Sequence, residues 1–164
     1  LDNGFIVHGH SMGGFIAQRG LRAELETSNN LKGVILESPV TSYSLINNRT
    51  CEVLRIPEFL HPWMMRRLLR HYNSMNEPHY QIADIKFLES PQWGLPNAPT
   101  LLIQAKLDDT LGEKHWRHLV DVHSNGDTNF RYHIVEELKH SYERSNEGRD
   151  QLILDWMKEE SLFF

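Results

Sequence analysis

One serine in this sequence stands where a nucleophile would be expected. The motif Gly9-His10-Ser11-Met12-Gly13 has the form G-x-S-x-G, and it lies between the apolar run GFIVH and a helical pattern. A strand that turns sharply into a helix strains the backbone of the serine, so glycines two positions away on either side avoid steric conflict. The hydroxyl of Ser11 would then stand clear of the sheet to attack a carbonyl, with the Met12 N–H as an oxyanion donor.

A serine hydroxyl needs a histidine to accept its proton and a carboxylate to orient that histidine. Asp108 follows the apolar run TLLIQ, and His140 follows the run FRYHIV. The carboxyl ends of neighbouring parallel strands meet at one edge of a sheet, so both residues would lie near Ser11. The order serine, aspartate, histidine is that of one known triad arrangement. Asp109 remains open as the alternative acid, since either aspartate of the pair could instead cap the following turn.

These side chains need a sheet whose strands alternate with helices. Short apolar or β-branched runs predict about four strands, at residues 4–8, 33–37, 100–104 and 130–135. The first three lack polar alternation, as expected of strands covered on both faces, whereas the most polar fourth run favours a sheet edge. Helical spacing follows the glycines and recurs in two later segments, at Trp116, Leu119, Val120 and His123 and at Leu152, Ile153, Trp156 and Met157. The predicted fold class is α/β, with mostly parallel strands and crossover helices.

Residues 39–99 are too many for a plain crossover between two strands. They contain a helix-like block, residues 63–72, in which an apolar stripe stands beside three arginines. The stripe consists of Met64, Met65, Leu68 and Leu69, and the arginines are Arg66, Arg67 and Arg70. We predict a helical insertion over one end of the sheet. Either the stripe packs on the domain and the arginines are solvated, or part of the stripe lines an acyl pocket.

The chain resembles the C-terminal part of an α/β-hydrolase, a superfamily in which the motif GHSMGG is common. TLLIQAKLD resembles the segment that carries the acid of that superfamily, with Ala105 where glycine is usual, and LKHSY resembles the loop that carries the base. The resemblance implies a triad of Ser11, Asp108 and His140, with Met12 in the oxyanion hole. It implies a cofactor-free serine hydrolase of carboxylesterase or lysophospholipase-like type, which cleaves a carboxylic ester or related acyl substrate through an acyl-enzyme. Serine peptidase, thioesterase and acyltransferase activities remain open.

The same resemblance predicts that the sheet is incomplete. A whole fold of this superfamily has about eight strands, and the nucleophile follows the fifth. We expect one incomplete α/β-hydrolase domain in three parts: residues 1–38 with the nucleophile strand, its helix and the next strand, residues 39–99 as a helical cap-like insertion, and residues 100–164 with the elements that carry acid and base. A missing N-terminal segment or a second chain would complete the sheet, and we expect activity only with that half present. A truncated, non-catalytic binding module is the alternative.

Composition argues against several classes of function. The 164 residues carry a formal net charge of -5 without a dense basic patch, so no nucleic-acid partner is expected beside the small acyl substrate. No apolar run reaches the ~18 residues that span a bilayer, and a lone cysteine, Cys51, is typical of a reducing compartment. We therefore expect a cytoplasmic protein without a transmembrane segment. His8 and His10 flank Gly9 without any ligand motif, so we expect no metal site and interpret His10 as a spacer in the turn.

Overall fold

The computed structural model describes residues 4–23, 30–75, 79, 81–83, 98–123, 129–140 and 145–162. Its strands are β1 Phe5–His10, β2 Leu31–Glu37, β3 Thr100–Ala105 and β4 Phe130–Val135. They form one parallel sheet in the order β1-β2-β3-β4. The α-helices of the described residues are α1 Met12–Ala23, α2 Tyr43–Val53, α3 His61–Asn73, α4 Glu113–His123 and α5 Glu147–Glu159. This architecture confirms the predicted fold class.

Strand β1 extends further toward the nucleophile than residues 4–8, where it was predicted. It begins at Phe5, because Gly4 has a φ of 81°, which lies outside the β region. It continues through Gly9 and His10, which still pair with the last residues of β2. Ser11 is therefore attached directly to a strand that is paired up to its last residue.

Both faces of the sheet are covered by helices. Successive residues of a strand point to opposite faces, so the buried residues of β2 and β3 divide into two sets. One set packs with side chains of α1 and α4 and includes Val34, Leu36 and Leu102. The other set packs with α5 and includes Ile35, Leu101 and Ile103. Full burial of such a side chain contributes roughly 1.5–3 kcal/mol, so the sheet is a firm base for the loops at its carboxyl edge.

The apolar spacing correctly identified the buried faces of α4 and α5. Leu119 and Val120 of α4 and Trp156 of α5 are buried against the sheet. Helix α5 begins after Asn146, whose side-chain oxygen accepts a hydrogen bond from the Arg149 N–H at 3.0 Å. This cap defines the end of the loop that carries His140.

Helices α2 and α3 lie between β2 and β3, where the insertion was predicted. Helix α2 begins after Ser42, whose Oγ accepts a hydrogen bond from the Leu45 N–H at 3.2 Å. Helix α3 has Pro62 in its first turn, where a missing N–H leaves no acceptor unpaired. The predicted helical block 63–72 lies inside α3. Residues 76–78, 80 and 84–97 lie outside the described residues, so the domain boundaries at 38/39 and 99/100 stay a prediction.

The polar strand β4 lies at one edge of the sheet, as predicted, and β1 lies at the other. Within the described part of the chain, β1 therefore pairs with β2 alone. No helix among the described residues is both long enough and apolar enough to cross a membrane.

Candidate active site

Ser11 occupies the sharp turn between β1 and α1 and has a φ of 52°, in the left-handed region. Backbone hydrogen bonds to three residues hold this strained backbone in place. The Ser11 N–H donates to the carbonyl of Glu37 at 3.0 Å, and the Ser11 carbonyl accepts from the N–H of Val40 at 3.0 Å and of Gly14 at 3.1 Å. Strain of this kind costs about 1–3 kcal/mol and persists where the surrounding structure overdetermines it.

The glycines around Ser11 are not equally necessary, which corrects the prediction from the motif. A Cβ added at Gly9 would lie 2.7 Å from the Cα of Gly14 and 2.8 Å from the carbonyl oxygen of Gly13. A Cβ added at Gly14 would lie 2.8 Å from the Cβ of Pro39, whereas one added at Gly13 meets nothing within 4 Å. The close approach is between Gly9 and the start of α1, so Gly14 is needed where the motif indicated Gly13.

Gly9→Ala is expected to lower the free energy of unfolding by about 1–3 kcal/mol, because backbone atoms must move to admit the methyl group. Gly13→Ala is the matched control. It is expected to leave stability unchanged or to raise it by up to ~1 kcal/mol, since alanine favours a helix more than glycine. Urea unfolding of both variants measures this difference, and equal losses of stability would contradict the packing described for the turn.

The structure brings Ser11, His140 and Asp108 into one chain of hydrogen bonds. The Ser11 hydroxyl lies 3.0 Å from Nε2 of His140, and Nδ1 of His140 lies 2.8 Å from Oδ2 of Asp108. With the proton on Nδ1, the histidine donates to the carboxylate and accepts from the hydroxyl. Asp108 and His140 are buried, each with 7% of its surface exposed, while Ser11 is partly open. The arrangement can activate a hydroxyl and hold a proton beside it.

Asp108 is held by more contacts than the sequence indicated. Its Oδ1 accepts from the N–H groups of Thr110 at 3.1 Å and Leu111 at 2.8 Å, and its Oδ2 also accepts from Nε2 of Gln104 at 3.1 Å. Burial raises the pKa of Asp108, but the hydrogen bond from His140 and that from the Leu111 N–H outweigh burial and hold the pKa below its ordinary value. Asp108 therefore stays ionised and faces His140 with a fixed oxygen.

The alternative acid, Asp109, is exposed, and its Oδ1 accepts from the Thr110 hydroxyl at 3.3 Å. The sequence left open which aspartate orients the histidine and which caps the turn. In the structure Asp108 makes both contacts. Its Oδ2 bonds to His140, and its Oδ1 accepts from the N–H groups of the following turn.

His10 is not a simple spacer, which corrects the interpretation from the motif. Its Nε2–H donates to the backbone carbonyl of His140 at 2.7 Å, and the two rings have centroids 5.3 Å apart. The residue before the nucleophile thus ties the turn directly to the loop of the base. The hydrogen bond joins positions 130 residues apart, and no local pattern reports such a contact.

A buried ion pair anchors the far side of the same loop. Arg149, near the start of α5, donates to Oε1 of Glu37 at 3.3 Å, while Nε2 of His8 donates to Oε2 at 3.0 Å. Burial raises the pKa of Glu37, but the hydrogen bond from His8 and the charge of Arg149 outweigh it, so the pKa is lowered. Breaking a buried pair of this kind leaves an unpaired charge, so the contact fixes α5 to β2 strongly.

Met12 begins α1 directly after the nucleophile. Its N–H, like the other first-turn N–H groups of a helix, has no acceptor inside the helix, and the positive end of the helix dipole lies behind it. That N–H can donate to an oxygen that becomes negative beside Ser11. The oxyanion role of Met12 stays a prediction.

His115 of α4 is a buried histidine close to the acid loop, with 1% of its surface exposed. Its Nδ1 accepts from the Thr41 N–H at 3.1 Å, and its carbonyl accepts from the Thr41 hydroxyl at 2.9 Å. Burial lowers the pKa of His115 to about 4, and the attraction of Asp108 only partly offsets this effect. The His115 side chain is therefore neutral in the folded protein at pH 7.

This burial predicts a loss of stability between pH 6.5 and pH 4. An unfolded chain protonates His115 near its ordinary pKa of 6.5, whereas the folded protein does so only near a pKa of about 4. The unfolded state binds the extra proton, so the free energy of unfolding falls as pH decreases across this window, by about 3 kcal/mol in all. Urea unfolding as a function of pH measures the slope.

His115→Asn is the matched control, because its Oδ1 can still accept from Thr41 while the side chain no longer titrates. The variant should lose this part of the slope. An unchanged slope would contradict the assignment to His115.

A cavity of about 180 Å³ lies between α1, the start of α2 and α3. Its lining is mostly apolar and consists of Arg19, Tyr43, Met65, Leu68, Leu69, His71, Tyr72 and Met75. Three residues of the predicted stripe, Met65, Leu68 and Leu69, are among them. The three arginines of α3 are exposed.

Family comparison identifies one match that spans nearly the whole chain. The model of the prolyl oligopeptidase family matches residues 2–162. No curated protein sequence gives a significant match.

Several solved structures share the fold. The acylaminoacyl peptidase of Pyrococcus horikoshii is 13% identical and superposes with a TM-score of 0.62, over 95% of this chain and 24% of its own. An esterase of Pyrococcus furiosus is 15% identical, with a TM-score of 0.62 over 96% of this chain and 53% of its own. A lipase/esterase of Lactobacillus plantarum is 13% identical, with a TM-score of 0.59 over 97% of this chain and 56% of its own. These α/β-hydrolase structures are all longer than this chain, which spans less than two thirds of each.

Proposed function

Because the chain belongs to the prolyl oligopeptidase family, we propose that it carries the catalytic residues of a serine hydrolase. In this proposal Ser11 is the nucleophile, His140 the general base and Asp108 the residue that orients His140. The observation that carries it is the unbroken hydrogen-bond chain from the Ser11 hydroxyl through both ring nitrogens of His140 to Asp108. The two links, 3.0 and 2.8 Å, are both within the roughly 2.6–3.2 Å expected for proton transfer and orientation.

The reaction follows from the position of each proton. The oxygen of Ser11 attacks the substrate carbonyl while Nε2 of His140 takes its proton, and the carbonyl oxygen becomes negative beside the Met12 N–H. His140 then donates that proton to the leaving group, which departs and leaves an acyl group on Ser11. Water attacks this acyl-enzyme with the same histidine as base, which releases the acid and restores the hydroxyl. The buried Asp108 stabilises the imidazolium that forms in each half.

An ester with an apolar acyl group is the substrate that the cavity supports. An apolar cavity of roughly 150 Å³ accommodates a six-carbon ring such as benzene, so a cavity of about 180 Å³ can accept an alkyl chain of medium length. One face of α1 leads from the nucleophile to this cavity, because Met12, Ile16 and Arg19 are spaced i, i+4 and i+7. The side chains of Met12 and Ile16 are exposed along that path. A carboxylesterase or lysophospholipase-like enzyme fits this arrangement.

Peptide hydrolysis is the second candidate, and the family match is the observation that favours it. Turnover of p-nitrophenyl hexanoate and of an N-acetylated amino-acid p-nitroanilide by the full-length protein separates the two. The proposal expects a larger kcat/KM for the ester. A larger value for the anilide would favour the peptidase, and no turnover of either substrate by the folded protein would favour a binding module.

The dependence on further strands is a separate part of the proposal. We expect turnover by the full-length protein and little by the 164-residue chain alone, because β1 would pair with another strand in a complete sheet of this fold. Equal kcat/KM values for the two forms would remove this part and leave the triad proposal intact. The cytoplasmic location is likewise a proposal, supported by the single cysteine.

A further inference from the structure

An exposed apolar surface lies at the end of the helical insertion, between α2 and α3. We call residues 53–63 the insertion tip. Its large apolar side chains are exposed to an unusual degree, with Phe59 81% exposed and Trp63 47% exposed. The others are Val53, Leu54 and Leu60. Several large exposed apolar side chains within one segment of 11 residues are typical of a surface that interacts with another surface.

Helix α3 presents two different faces. One face lines the cavity through Met65, Leu68, Leu69 and Tyr72. The opposite side carries a second set with the helical spacing i, i+3, i+4 and i+7, which consists of Trp63, Arg66, Arg67 and Arg70. This second set is exposed, and we call it the outer face of α3. The guanidinium of Arg67 lies over the Trp63 ring, 5.5 Å from its centroid, which joins the basic and aromatic parts of the surface.

The charge of this surface opposes that of the whole chain. Residues 53–72 contain four arginines, at positions 55, 66, 67 and 70, and a single acidic residue, Glu58, although the chain has a formal net charge of -5. Within the described residues no ion pair involves any of these arginines. A local positive charge is thus available to an anionic partner, which the overall composition does not indicate.

The position of the tip separates it from the edge that β1 forms in the described sheet. Nη2 of Arg49, in the second half of α2, donates to the carbonyl of Asp109 at 2.6 Å, and its Nε donates to that of Thr110 at 3.3 Å. Helix α2 therefore leads into the tip beside the acid loop, which follows β3, two strands away from β1. A strand added at β1 would extend the sheet at the edge away from the acid loop and the tip.

We propose that the insertion tip and the outer face of α3 dock on an anionic lipid surface. Tryptophan and phenylalanine favour the boundary between water and lipid, and exposed apolar side chains gain free energy on entering it. The arginines of the outer face would meet the anionic headgroups, whose attraction for basic residues falls off within a Debye length. An anionic lipid surface can therefore bind both the apolar side chains of the tip and the arginines of the outer face. The proposal is independent of the catalytic role of Ser11.

Co-sedimentation of the full-length protein with vesicles tests the proposal. The probes are vesicles of phosphatidylcholine alone and of phosphatidylcholine mixed with phosphatidylserine. We expect binding to the mixed vesicles, weakened by salt, and at least tenfold weaker binding to phosphatidylcholine alone. The double variant Arg66→Gln/Arg67→Gln should bind about 30-fold more weakly, as expected for two basic residues at a membrane surface. Phe59→Ser should also weaken binding.

Matched controls come from α4 and α5, which lie outside the helical insertion. Arg117→Gln/Lys158→Gln removes two exposed charges, and Leu154→Ser removes an exposed leucine. These variants should bind the mixed vesicles as the unmodified protein does, and thermal unfolding checks that all variants fold. Absence of binding, equal binding to both kinds of vesicle, or equal losses in tip and control variants would overturn the proposal. A dimer in light scattering that Phe59→Ser dissociates would also overturn it, in favour of a protein interface.

Discussion

Replacing Ser11 with alanine is expected to reduce kcat by ~10⁴- to 10⁶-fold, because removal of the nucleophile of a Ser-His-Asp triad costs about that much. Alanine keeps the Cβ and removes only the oxygen that lies 3.0 Å from Nε2 of His140. The backbone bonds of residue 11 to Glu37, Val40 and Gly14 do not involve the side chain, so the turn should persist. Steady-state turnover of the preferred substrate by the full-length protein measures the effect.

Ser44→Ala in α2 is the control for removal of a serine hydroxyl elsewhere, and it should retain turnover within about threefold, because the half-buried Ser44 is not one of the three triad residues. A Ser11→Ala variant with more than a tenth of the original kcat would contradict the assignment of the nucleophile. Thermal unfolding should show the same midpoint for both variants within a few degrees, since neither removes a backbone contact.

Asp108→Asn is the second large change, with an expected loss of ~10⁴-fold in kcat. The asparagine Oδ1 can still accept from the Thr110 and Leu111 N–H groups, so the acid loop should keep its shape. The amide nitrogen would replace Oδ2, which now accepts from Nδ1 of His140 at 2.8 Å. Two donors would then face each other, and His140 would have to carry its proton on Nε2, where it cannot accept the proton of Ser11.

Asp109→Asn is the matched control, one residue away and exposed. Among the described residues, the Asp109 carboxylate bonds to the Thr110 hydroxyl whereas His140 bonds to Asp108, so kcat should stay within about threefold. The reverse result, with the larger loss for Asp109→Asn, would assign the acid to the alternative that the sequence left open.

The three central residues could be predicted from sequence because their positions depend on strand ends. Ser11 follows β1, Asp108 follows β3 and His140 follows β4, and all strands of this sheet are parallel. Parallel strands have their carboxyl ends at one edge, so identifying the strands was enough to predict that the three side chains meet. Errors of one or two residues in the strand bounds did not change this result, because the loops begin at the same edge.

The supporting contacts could not be predicted, because they join side chains distant in sequence. Glu37 and Arg149 are 112 residues apart, and the His10 ring reaches the carbonyl of His140 across 130 residues. Each depends on the twist of the sheet and the path of a loop, and no periodic pattern reports either. The roles of Gly13 and Gly14 depend on how closely the start of α1 approaches Gly9, a distance that the motif does not specify.

The outer face of α3 shows the same limit. The spacing of Arg66, Arg67 and Arg70 was visible in the sequence, but the sequence did not determine which side of the helix meets the domain. In the structure Met65, Leu68 and Leu69 line the cavity and the arginines are exposed, so α3 has two distinct faces, one apolar and one basic. The average charge of the chain conceals this local concentration of positive charge.

Reaction of the folded full-length protein with a fluorophosphonate, followed by mass spectrometry of its peptides, shows whether Ser11 is an activated nucleophile. The reagent bonds covalently to a serine oxygen only when a neighbouring base activates it. We expect one adduct, on Ser11, that is absent from the Ser11→Ala variant and forms far more slowly in Asp108→Asn than in Asp109→Asn. A folded protein that gains no adduct, or gains it on a different residue, would contradict the assignment of Ser11 as the nucleophile.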